Sequence, residues 1–193
     1  MAPCIQESCL TANSGKLSDS KLSEETRIAD GVCDMVVSPN GKMVVYARDG
    51  GSDQLAAIYC YTVGQNKPVR ITPEGYCSYT HYKYIEYDSY NMPAYFSADG
   101  KSIYYFNDPY QVDDSGTYTT TLMQYTISKE ESTRIASDVL PQLDATYNRG
   151  YVVDSNAIRY KRFVENDEEL GNIYDFVLWN GKENTVLARD LKG

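Results

Sequence analysis

Short apolar segments with alternating polar positions recur along the chain in pairs, and most pairs are separated by an Asn-Gly or Asp-Gly dipeptide. Such dipeptides between apolar runs favour β-hairpins, because both central turn positions tolerate positive φ. We therefore predict positive φ at Gly41 and Gly100. The predicted hairpins pair residues 34–37 with 43–48, 93–97 with 102–107, and 150–154 with 157–163.

Each predicted hairpin is followed by a polar loop and two further apolar segments joined by a short turn. The third segments have nearly the period of two expected of a strand. They span residues 58–63, 122–127 and 173–178, and the fourth segments span 69–72, 133–136 and 185–188. Repetition of a four-strand meander predicts an all-β fold, a β-propeller segment of three four-stranded antiparallel blades. The blades cover about 30–73, 92–137 and 150–190.

A further copy of the fourth segment lies near the start, where Thr26–Ala29 matches Thr133–Ala136. The chain is thus expected to enter at the outer strand of a blade, with the propeller over residues 24–193. Residues 1–23 are either a third strand plus linker or a mobile segment, and their polar composition favours the mobile segment. Closed propellers have about 4–8 blades. We therefore expect further blades, or self-association through the first and last blades with Thr26–Ala29 as the joint.

The sequence Ser38–Lys42, followed by Val-Val-Tyr, then Ile-Tyr and Val-Arg-Ile-Thr, resembles the TolB-like β-propeller repeat. The resemblance covers residues 24–190. Repeats of this type also build the propellers of prolyl-oligopeptidase-type peptidases, which keep their catalytic triad in a separate α/β domain, and occur in many bacterial surface proteins. The resemblance implies a fold and leaves the function open, because one fold hosts many functions.

Charge and composition narrow the range of partners. The chain has 193 residues, 19 of them Tyr, and a formal net charge of −9. An acidic surface repels phosphate backbones, so no nucleic-acid partner is expected. No apolar run approaches the ~20 residues that span a bilayer, so no membrane insertion is expected.

The chain offers little chemistry for catalysis or metal binding. His81 is its one histidine and Gly-x-Ser-x-Gly is absent, so we predict no catalytic residues. Asp113-Asp114 lacks the spacing of a calcium loop, and neither a metal site nor a cofactor is predicted. The five cysteines are irregularly spaced, which favours the interpretation that they are reduced. Cys33 and Cys60 are predicted to be small buried apolar residues. Less favoured alternatives are the disulfides Cys4–Cys9 and Cys60–Cys77.

Long insertions are expected on one face of the propeller, where binding residues concentrate. Tyrosine suits recognition surfaces because it pairs an apolar ring with a polar tip. The candidate ligand-binding residues are Tyr79, Tyr82, Tyr84, Tyr87, Tyr90, Asp108, Asp113 and Asp114. The alternative is that these tyrosines pack over blade edges while the acids keep the loops soluble.

The function predicted from these features is a non-catalytic binding or scaffold module that recognises a peptide, protein or glycan. A larger bacterial cell-envelope protein, with the module outside the cytoplasm, is the expected context. Two alternatives remain open. One is the gating propeller of a prolyl-oligopeptidase-type serine peptidase without its catalytic domain, and the other is a carbohydrate-active propeller.

Overall fold

The computed structural model describes residues 10–18, 21–48, 57–72, 94–111, 118–140, 151–154 and 157–192. All the regular secondary structure within those residues is β-strand, which confirms the all-β prediction. The strands are β1 (Leu10–Ser18), β2 (Lys21–Val37), β3 (Met43–Arg48), β4 (Ala57–Thr62), β5 (Val69–Arg70), β6 (Ala94–Phe96), β7 (Ser102–Gln111), β8 (Tyr118–Thr126), β9 (Glu131–Val139), β10 (Tyr151–Asp154), β11 (Ala157–Asp167), β12 (Gly171–Trp179) and β13 (Asn184–Lys192).

Consecutive strands pair antiparallel and form three meanders. The first meander is β2–β5, the second β6–β9 and the third β10–β13. The three predicted hairpins are confirmed, since β2 pairs with β3, β6 with β7 and β10 with β11. Alternation of apolar and polar residues sets this register, because a slip of one residue would turn every apolar side chain to the wrong face.

The sequence pattern predicts three separate four-stranded sheets, but the structure has two sheets. One sheet has five strands in the order β1-β2-β3-β4-β5, and the other has eight. The second and third meanders join where Val139 of β9 pairs with Arg162 of β11. Leu140 extends this junction, its amide donating to the Lys161 carbonyl at 3.0 Å. The junction arises because β9 continues beyond residue 136, where the fourth segment was expected to end, and so reaches the next meander.

The N-terminal region differs most from the prediction. Strand β2 is 17 residues long and runs without a break through the boundary predicted between residues 23 and 24. Its first half pairs with β1, with Thr26 opposite Ser14 and Ala29 opposite Ala12. The edge of Thr26–Ala29 that was expected to be free is therefore occupied by β1. The strand Leu10–Ser18 agrees with the alternative of a third strand within residues 1–23. Polar composition favoured the mobile segment wrongly, because backbone pairing satisfies N–H and C=O groups whatever the side chains are.

The core consists of three apolar clusters, each between two neighbouring units. One lies between the first and second meanders and one between the second and third. The last lies between the first half of β2 and the strands β3 and β4 of the first meander. A tyrosine from the second strand of each meander is fully buried in one of these clusters, at 0–1% exposure, namely Tyr46, Tyr105 and Tyr160. Many of the tyrosines thus serve packing.

Cys60 is buried and its thiol is free. The prediction of a small apolar role is confirmed for this residue, and the alternative Cys60–Cys77 disulfide is wrong. Burial raises the pKa of the Cys60 thiol to about 11. The thiol is therefore protonated at neutral pH, which removes its nucleophilic character.

Candidate functional site

The two ends of the meanders have different connections. At one end, here called the turn end, β2–β3, β6–β7 and β8–β9 are joined by four or five residues and β4–β5 by six. At the other, the loop end, β3–β4, β5–β6 and β7–β8 are joined by six residues or more. The third meander is an exception at the loop end. There β11 extends to Asp167 and β12 begins at Gly171, with the Asp167 carboxylate accepting from two amides of a three-residue turn.

The turn end repeats one hydrogen-bonding unit in two meanders. In the first, the Ser38 hydroxyl accepts from the Met43 amide at 2.8 Å and donates to Asn40 Oδ1, also at 2.8 Å. The Asn40 side chain in turn accepts from the Lys42 amide at 3.0 Å. The second meander repeats this arrangement with its own serine, aspartate and lysine, Ser97, Asp99 and Lys101.

The glycines of these turns have the predicted positive φ, 68° at Gly41 and 67° at Gly100. The turns are longer than the Asn-Gly and Asp-Gly dipeptides themselves. Each glycine amide donates to the serine carbonyl three residues earlier, at 2.9 Å. The glycine is therefore the last residue of a four-residue turn, and Asn40 and Asp99 keep negative φ. The proline after Ser38 favours this geometry, because its ring fixes φ at the second turn position.

The residues predicted to bind a ligand lie largely outside the described part of the chain. Tyr79, Tyr82, Tyr84, Tyr87 and Tyr90, with Asp113 and Asp114, are all in undescribed segments. Asp108 lies within β7, where the backbone alone is described. The structure describes the strand ends from which these segments leave, and all of them are at the loop end. The site itself stays a prediction.

Two buried polar side chains lie towards the loop end of the second meander. Asn107 of β7 and Thr119 of β8 are on the strand face that carries Tyr105, on either side of the register shift between Asn107 and Tyr110. In the part of the chain that the structure describes, Asn107 Oδ1 and Thr119 Oγ1 are buried without a hydrogen-bond partner. An unmatched buried polar atom costs about 1–3 kcal/mol, so a donor from water or a ligand would be stabilising here. Sequence reasoning missed this pair.

The corresponding position between the second and third meanders holds an ion pair. Arg162 Nη2 donates to the buried carboxylate of Asp175 at 2.7 Å, from the opposite residue of the neighbouring strand. Arg189, which is mostly exposed, approaches the same oxygen at 3.8 Å. A buried ion pair of this kind adds little net stability, because the cost of removing the charges from water offsets much of their attraction. The register of β11 and β12 would have been enough to predict this ion pair, because it places the two opposite charges on directly opposed residues.

Two further findings concern the described residues alone. No group of three or more His, Cys, Asp or Glu side chains among them is arranged to hold a metal ion. Within the same ranges, no helix has the length and apolarity needed to cross a membrane.

The chain has the fold of a β-propeller segment, as shown by its all-β meanders and by comparison with solved structures. The β-propeller domain of the trilobed protease from Pyrococcus furiosus aligns with a TM-score of 0.55 over 93% of this chain, at 10% identity. An acylaminoacyl peptidase from Pyrococcus horikoshii aligns over 87% of this chain with a TM-score of 0.50, at 13% identity. A puromycin-hydrolysing peptidase from Mycobacterium tuberculosis aligns over 91% with a TM-score of 0.50, at 11% identity.

The likeness concerns the fold alone, because identity is low. The aligned region spans 52% of the P. furiosus propeller chain, 26% of the P. horikoshii peptidase and 24% of the M. tuberculosis peptidase. No protein-family model matches the sequence, and no curated protein sequence does.

Proposed function

We propose that the chain is a non-catalytic propeller module that binds a peptide, protein or glycan at its loop end. The observation that carries the proposal is the asymmetry of the connections. The undescribed segments that contain the candidate tyrosines and acids all leave from the loop end, while the turn end is closed by short hydrogen-bonded turns. Rigid strands that present long loops on one side are typical of binding scaffolds.

Charge favours a basic peptide among these ligand classes. The candidate acids Asp108, Asp113 and Asp114 lie within seven residues of one another. They follow Asn107, whose buried side-chain oxygen is an acceptor. Lysine and arginine side chains supply several donors and a positive charge, which matches both features. The tyrosine rings of segment 73–93 would add apolar contact area.

The test measures binding of a labelled Lys/Arg-rich dodecapeptide, with a neutral peptide and a glycan array as further probes. The loop-end variant replaces Asp108, Asp113 and Asp114 by Asn. The matched control replaces three exposed turn-end acids, Glu130, Glu131 and Glu183, by Gln. We expect the loop-end variant to bind the basic peptide about tenfold more weakly and the control to bind normally. Equal weakening in both variants, or no binding to any probe, would contradict the proposal.

A second candidate is the gating propeller of a prolyl-oligopeptidase-type serine peptidase. The observation that favours it is that the aligned structures come from peptidases. The coding sequence on either side of these 193 residues separates the two candidates. An adjoining α/β-hydrolase domain with a Ser-His-Asp triad supports the peptidase. A transmembrane helix supports a surface-tethered binding module, in keeping with the cell-envelope context.

A further inference from the structure

The N-terminal hairpin β1–β2 has the same strand register as the hairpin β8–β9, the outer half of the second meander. Both hairpins have irregularities at the same two places along the ladder. Equivalent pairs are Leu10–Val32 and Thr120–Val139, Ala12–Ala29 and Leu122–Ala136, Asn13–Arg27 and Met123–Arg134, and Lys16–Glu24 and Thr126–Glu131. The hairpin is therefore built as the third and fourth strands of a meander.

The N-terminal hairpin also contacts its neighbour as β8–β9 does. Val32 pairs with Arg48 of β3, just as Val139 pairs with Arg162 of β11. Ile28 packs in the cluster around Tyr46, whereas Ile135 packs in the cluster around Tyr160. The same interface is thus formed twice, once by a whole meander and once by an outer half.

The two interfaces differ in whether the first and second strands of a meander are present. In the second meander β7 pairs with the inner edge of β8 and contributes Tyr104 and Phe106 to the cluster with the third meander. Strand β1 is at the end of its sheet, and among the described residues no strand pairs with its other edge. No strands among the described residues correspond to β6 and β7 at that position.

Exposure of the first meander agrees with this gap. Val37 is 54% exposed, whereas Phe96, at the equivalent position of the second meander, is 8% exposed and packs against the first meander. Val44 and Tyr59 are half-buried, while their equivalents Ile158 and Val177 are completely buried under the second meander. Apolar side chains that elsewhere face an inner strand pair are partly open to solvent here.

We infer that the free edge of β1, with the exposed flank of β2, binds a two-stranded antiparallel β-hairpin of propeller sequence from outside these 193 residues. The occupant adds one strand to β1 by backbone pairing and turns apolar side chains towards Val37, Val44 and Tyr59. The aligned region spans about half of the P. furiosus propeller chain, which leaves further propeller sequence to supply such a hairpin. A second copy of the chain fits less well, because its described inner strands already pair within their own meanders.

The test completes the unit with the protein's own inner hairpin. Residues 93–117, which precede β8, are fused in front of Ser8, the residue equivalent to Tyr118, in place of residues 1–7. The control fusion carries Tyr104→Asp and Phe106→Asp in the added copy. Hydrogen exchange of β1, the thermal midpoint and the molar mass by light scattering are compared with those of the unmodified chain. We expect the fusion to be monomeric, to melt at a higher temperature and to exchange about tenfold more slowly in β1, and the control to show neither gain.

A free peptide of residues 93–111 provides a second measurement that does not depend on folding of the fusion. It is expected to protect β1, and to leave β9 unchanged, as its concentration rises. Two results would overturn the inference. One is that neither fusion nor peptide slows exchange in β1. The other is that the unmodified chain already exchanges as slowly in β1 as in β8 and has the mass of a dimer, since a second copy would then occupy the edge.

Discussion

The interface between the second and third meanders and the one between β1–β2 and the first meander have the same register but differ in completeness. In the complete interface Ile158, Tyr160 and Val177 are fully buried. In the incomplete one a central tyrosine, Tyr46, is buried to the same extent, while the apolar residues around it are partly exposed. The outer strands are therefore sufficient to bury the tyrosine, and the inner strands are needed to cover its surroundings.

The largest expected effect comes from a matched pair on the fourth strands. Ile135 is 8% exposed and packs on the third meander, whereas Leu187, at the equivalent place in β13, is 49% exposed. We expect Ile135→Ala to lower the free energy of unfolding by about 2–4 kcal/mol, because it leaves a cavity. Leu187→Ala should change it by less than about 0.5 kcal/mol. Urea denaturation measures both, and similar losses would show that a further unit covers Leu187 in solution.

A smaller effect is expected at the turn end, where the two regions are alike. Gly41→Val and Gly100→Val should each cost about 1–3 kcal/mol, because a β-branched residue is strained at positive φ. A Cβ added at Gly41 would have no atom within 4 Å, and the nearest atom to a Gly100 Cβ would be 3.9 Å away. Backbone strain therefore dominates both. Thermal denaturation compares them with Gln65→Val in the turn after β4, which lacks positive φ. A near-neutral effect at either glycine would contradict the turn geometry.

The smallest effect concerns the difference in ionisable side chains between the two turns, Asn40 against Asp99. The Ser97 hydroxyl and the Lys101 amide hold the pKa of Asp99 below its usual value. Its stabilising contribution is therefore present above the unfolded-state pKa and is lost as the pH falls through the lower folded-state value. We expect Asp99→Asn to remove this part of the acid dependence and Asn40→Asp to introduce an equivalent one. Urea denaturation at pH 3 and pH 7 checks this, and unchanged pH profiles in both variants would refute it.

The sequence predicted the repeating strands and hairpins well, because the alternation of residues such as Val45 and Tyr46 is a local property. Pairing between distant segments was harder. Strand β1 is polar, and only its register with β2 identifies it as half of a meander. The predicted positive φ of Gly41 and Gly100 is confirmed, but the turn is longer than the dipeptide, because Ser38 and its proline belong to it.

The candidate site depends on side chains that no local pattern brings together. Asn107 and Thr119 are polar residues in strands, and the sequence does not show that both side chains are buried without a hydrogen-bond partner among the described residues. The Arg162–Asp175 pair needed the register of two strands. The tyrosine and aspartate candidates remain a sequence prediction, since they fall on segments that the structure does not describe.

Among the described residues, each apolar cluster of the core is shared by two neighbouring units and by no third. Energetically the chain therefore resembles a one-dimensional row of units coupled to their nearest neighbours, as in other repeat proteins. A unit in the middle of such a row has two stabilising contacts and a unit at the end has one. Unfolding of these residues on their own should consequently begin at β1 and β13 and proceed inward, with β7 and β8 among the last strands to open.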